Sequence, residues 1–62
     1  MSMQTELNTI TSSITELSAR LTTLVESEGD AMPPEVYAEL VAAERTVGAL
    51  LRRLTRVAGR AF

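Results

Sequence analysis

The sequence predicts an all-α fold, an antiparallel hairpin of two long helices that dimerises into a four-helix bundle. Three observations lead there. Apolar residues recur at alternating steps of four and three through both halves of the chain. Glycine and two prolines gather between the halves, and the second half carries more apolar surface than one partner helix can cover.

The first seam runs Met3, Leu7, Ile10, Ile14, Leu17, Leu21, Leu24. Strand alternation does not fit it, and a helix over about residues 3–28 does. Nine serines and threonines lie between Thr5 and Thr23. Each is a weaker helix former than alanine by up to about 0.7 kcal/mol, so packing must hold this helix. The hydroxyls read as a small neutral face suited to close helix contact.

The connection is ESEGDAMPPEV. Gly29 is expected to close the first helix in the left-handed conformation. Pro33 and Pro34 suit the first turn of the next helix, where no amide partner is lost, and Glu35 complements its positive end.

The second helix is placed at about residues 34–60, with the seam Val36, Leu40, Ala43, Val47, Leu50, Leu54, Val57, Ala61. Near-equal lengths and a short connection imply antiparallel arms of roughly 38 Å at 1.5 Å per residue. Charges beside the seams favour Leu7 facing Leu50 and Ile14 facing Ala43. That register sets Glu6 against Arg53 and Arg20 against Glu39, while a one-heptad slip would bring Glu6 to Arg60.

Beside the second seam runs a further stripe of Tyr37, Val41, Gly48, Leu51, Ala58 and Phe62, interrupted by Glu44 and Thr55. A lone hairpin would leave it in water, so it is the expected self-association interface of a homodimer, with a different protein as the alternative occupant. A chain of 62 residues without cysteine is a single domain that needs such help.

Composition narrows the chemistry. Cysteine, histidine, lysine and tryptophan are all absent, and there is no glycine-rich phosphate loop. The acids near the turn lack the ligand spacing of a calcium loop. No catalytic residue, cofactor or metal ion is expected, and the chain reads as a non-enzymatic interaction module: an adaptor, regulator or assembly subunit. Without an apolar run of about 18 residues or a secretory signal, the expected location is the cytoplasm.

Charge is unevenly spread. Residues 1–30 hold five acids and one arginine, and residues 31–62 hold three acids and five arginines. On a helical wheel Arg45, Arg52, Arg53, Arg56 and Arg60 fall within about 100°, opposite the seam. Such a face is either solvated or recruits a partner. Arg45, Arg52, Arg56 and Arg60 are the candidates for an acidic protein or, as the alternative function, for nucleic acid. The acidic pI of 4.9 weighs against nucleic acid.

Overall fold

Ser2 opens the first helix by accepting a hydrogen bond from the Thr5 backbone amide on its side-chain oxygen at 3.1 Å, which satisfies one of the amides a helix start leaves without a partner. The computed structural model describes residues 2–60; Ala61 and Phe62, predicted seam and interface positions, lie outside them. Helix α1 spans Met3–Glu28 and helix α2 spans Pro34–Gly59, joined through a single 3-10 turn at Gly29–Ala31. The two α-helices and their antiparallel hairpin follow the heptad reading.

Gly29 departs from expectation. Its φ of −56° and ψ of −38° are right-handed, and no glycine among the described residues has positive φ. The chain tightens from α-helix into the 3-10 turn instead of reversing through a left-handed cap. Smallness is what this site uses, since a Cβ on Gly29 would lie 3.0 Å from Cε1 of Tyr37. The tyrosine ring lies across the turn and closes that end of the hairpin. Pro33 then stands extended, at ψ 143°, because the ring of Pro34 disfavours helical ψ in the residue before it. The Pro33 carbonyl accepts from the amides of Val36 and Tyr37, both at 3.0 Å.

Register differs too. Thr22 Oγ1 donates to Glu44 Oε2 across the helices at 3.0 Å, and Gly29 meets Tyr37. Stepping along both arms from these contacts, Val25 comes level with Val41, Ile14 with Arg52 and Leu7 with Gly59. Glu6 therefore stands level with Arg60 and Arg20 with Thr46, which is the one-heptad slip. The reason is the length of the connection. Setting Leu7 against Leu50 would put Thr23 opposite Pro34 and strand the last turn of α1 beyond its partner, Val25 included.

Rotation about the helix axes follows. Toward α2, helix α1 half-buries Gln4, Leu7, Thr11, Ile14, Ser18, Leu21 and Thr22 and fully buries Val25. From α2 come Leu40, Val41, Glu44, Val47, Gly48, Leu51, Leu54 and Ala58, all half-buried. Small hydroxyl residues thus do sit at the helix contact, and Thr11 satisfies its hydroxyl on the Leu7 carbonyl at 2.8 Å. Thr9, Thr15 and Thr23 make the same bond four residues back on exposed faces. The core is thin. Val25, at 7% exposure, is the one buried side chain among the described residues.

The Tyr37–Gly29 packing can be measured directly. Gly29→Ala, at a right-handed φ/ψ that alanine adopts, restricts the unfolded chain for a gain of about 0.4–1 kcal/mol but must displace the ring. We expect thermal unfolding followed by circular dichroism to show no gain in the native background and an increase of several degrees in a Tyr37→Ala background. Equal gains in both would mean that the ring does not pack there.

Candidate interaction surfaces

Half of the predicted first seam faces water. Met3, Ile10, Leu17 and Leu24 are exposed, Met3 at 68% and Leu17 at 57%. On α2 the matching row is Val36, Leu50 and Val57, each just over two-fifths exposed, with half-buried Ala43 between them. Thr22–Glu44 and Gly29–Tyr37 tie the helices along one edge of their shared seam. In both helices the apolar rows lie on the opposite edge, so they run side by side along one face of the hairpin. One-sided exposure of this kind exceeds the scattered apolar residues of an ordinary surface.

Area agrees. The chain exposes 4806 Å², whereas a compact monomer of its 6.7 kDa mass would expose about 3,900 Å². The shape is long, 45 × 16 × 13 Å, with a radius of gyration of 14.4 Å against roughly 11 Å for a compact chain of this length.

The stripe predicted for self-association is placed differently from those rows. Val41, Gly48, Leu51 and Ala58 are half-buried within the single hairpin. Tyr37 is 43% exposed, with its ring against Gly29. Val41, Gly48, Leu51 and Ala58 have less uncovered surface to offer than Leu17 or Leu50, and Tyr37 is as exposed as Leu50. Sequence spacing could not separate the two rows of α2, because Leu50 and Leu51 each lie three or four residues from Val47 and Leu54. Within the hairpin no backbone lies close to Gly48: a Cβ there would meet only Arg52 Nη1, at 3.6 Å.

Arg45, Arg52, Arg53, Arg56 and Arg60 are all exposed. A shallow groove lined by Leu51, Arg52, Thr55 and Arg56 runs beside them, and another is lined by Arg53, Arg56, Val57 and Arg60. The expected pairs Glu6–Arg53 and Arg20–Glu39 are not brought together: Arg53 stands level with Ser13 and Glu39 with Ser27. Among the described residues, no three His, Cys, Asp or Glu side chains gather where they could hold a metal ion, and no helix is long and apolar enough to cross a membrane.

The chain matches no protein-family model, no curated protein and no solved structure. Its surfaces therefore carry the functional argument.

Gly48 offers a check on which row of α2 meets another chain. With only a flexible guanidinium nearby, Gly48→Ala should stabilise the fold by about 0.5–1 kcal/mol through helix propensity. Urea titration reads this, and a loss of stability would place a close neighbour against Gly48.

Proposed function

We propose that the chain is a non-enzymatic helical association module, an adaptor, regulator or assembly subunit, which pairs with a second copy and acts by presenting the resulting bundle to a protein partner. The observation that carries this reading is the continuous apolar face of Met3, Ile10, Leu17 and Leu24 beside Val36, Leu50 and Val57. Covering such side chains contributes about 25 cal/mol per Å² of apolar area removed from water. A two-helix hairpin with one buried side chain among its described residues has little else to hold it against chain entropy. Light scattering across a concentration series should give twice the 6.7 kDa chain mass, with dissociation and loss of helicity on dilution. A well-folded monomer at every concentration would overturn the reading.

A second reading rests on a separate observation, the exposure of Arg45, Arg52, Arg56 and Arg60 along the side of α2 turned away from the α1 contact. Pairing would double that arginine stripe, and guanidinium groups suit phosphate. Nucleic-acid binding by this stripe predicts affinity for a generic RNA or DNA duplex that falls steeply with salt. It also predicts loss of that affinity on replacing Arg52 and Arg56 with glutamate. Absent or salt-insensitive binding would reject it and leave the arginines to an acidic protein.

A further inference from the structure

We propose that the second copy seats on the face formed by Met3, Ile10, Leu17 and Leu24 with Val36, Ala43, Leu50 and Val57. The two-fold axis crosses the helices at the height of Leu17 and Leu50, so that the two turns lie at opposite ends. This rests on the reading that the chain self-associates, and goes further by assigning the face and the orientation.

Area is the first argument. The surface in excess of a compact monomer is roughly 900 Å² per chain, and a stable interface of ordinary size takes about 800 Å² from each partner. Covering one side of the elongated hairpin with a second copy would remove surface of that order.

Height is the second. A two-fold axis lying across the hairpin must meet both apolar rows at one level, and each residue on it then faces its own counterpart. The Thr22–Glu44 contact brings Leu17 level with Ala49, one residue or about 1.5 Å from Leu50. That level lies near the middle of both helices, Met3–Glu28 and Pro34–Gly59, so the copies overlap along most of their length. Leu17 meets Leu17 and Leu50 meets Leu50. On either side Ile10 meets Leu24, and Ala43 meets Val57.

Charge is the third argument and selects the orientation. The hairpin is polarised along its length. Glu26, Glu28, Asp30, Glu35 and Glu39 gather at the turn, and Arg52, Arg53, Arg56 and Arg60 gather toward the open end. Copies with both turns at one end would set like charge beside like charge. Opposed copies place the arginine end of each along the acidic turn of the other. Along the rim of the apolar face Glu39 then stands by Arg60 of the second copy, and Thr46 by Arg53. Exposed pairs of this kind add little stability, but they discriminate between orientations.

The chain has no cysteine, so single-cysteine variants report proximity without background. Leu17 and Leu50 are exposed in the hairpin, and replacing either with cysteine leaves the intrachain contact intact, which circular dichroism verifies. Under mild oxidation at a concentration where light scattering finds dimer, Leu17→Cys and Leu50→Cys should each form a disulfide-linked homodimer. An Arg45→Cys control should form one at least tenfold more slowly. Cross-linking only when Leu17→Cys and Leu50→Cys are mixed would mean that the turns share one end and would overturn the orientation. A dimer by mass in which neither variant cross-links would overturn the face. A monomer by mass would instead remove the self-association on which the inference stands. As an independent readout, Glu39→Arg should weaken the dimer roughly fivefold to tenfold, the equivalent of one rim pair at each end. Adding Arg60→Glu should restore it. Failure of that rescue would count against the opposed orientation.

Discussion

Everything in this hairpin follows from how tightly its turn is closed. Five residues separate Glu28 from Pro34, and the Tyr37 ring lies directly on Gly29. The two helices must therefore begin and end level with each other, and the Thr22 to Glu44 contact forms in the register that results. A slide by one heptad would set Thr15 in place of Thr22 opposite Glu44, so it is the turn that selects the register. Polar contacts of this sort add little net stability, about 1 kcal/mol.

The rotation so chosen has a consequence for packing. Helix α1 turns its mixed side, where Thr11, Ser18 and Thr22 alternate with Leu7, Ile14 and Leu21, toward α2. Its wholly apolar row of Met3, Ile10, Leu17 and Leu24 is left outside. Threonines that satisfy their own hydroxyls on the preceding turn can line a helix contact without leaving an unmet donor. Pure hydrocarbon has no such way of living with water. The hairpin has in effect used its tolerant surface internally and kept its intolerant surface for something else. Arg45 and Arg52 lie on a third side, while Arg53 and Arg60 border the apolar row at Val57.

The heptad spacing made the helices and their antiparallel pairing legible, and the prolines and Gly29 marked the turn. What spacing could not settle was which of two adjacent rows on each helix faces inward. Leu50 and Leu51 differ by one residue, and both continue a step of three and four through Val47 and Leu54. The choice belongs to the turn, whose geometry depended on two things hidden from a one-dimensional reading. Gly29 is helical rather than left-handed, and Tyr37 folds back on it. Charge pairing misled for the same reason. Glu6 and Arg53 are opposite in sign, but surface pairs are too weak to choose a register against the length of a loop. Glu44, an interruption in the apolar stripe by sequence, accepts a hydrogen bond from Thr22 across the helices.

The buried residue nearest the turn, Val25, also bears on how long such a chain survives. Its shelter lies at the closed end, while the far ends of both helices have only half-buried neighbours. Local opening should therefore start there, where few contacts oppose it. A copy left uncovered offers proteases a frayed end, and a covered copy does not. With a second copy as the proposed cover, the sheltering surface is the protein's own, and the protected fraction would rise with its concentration.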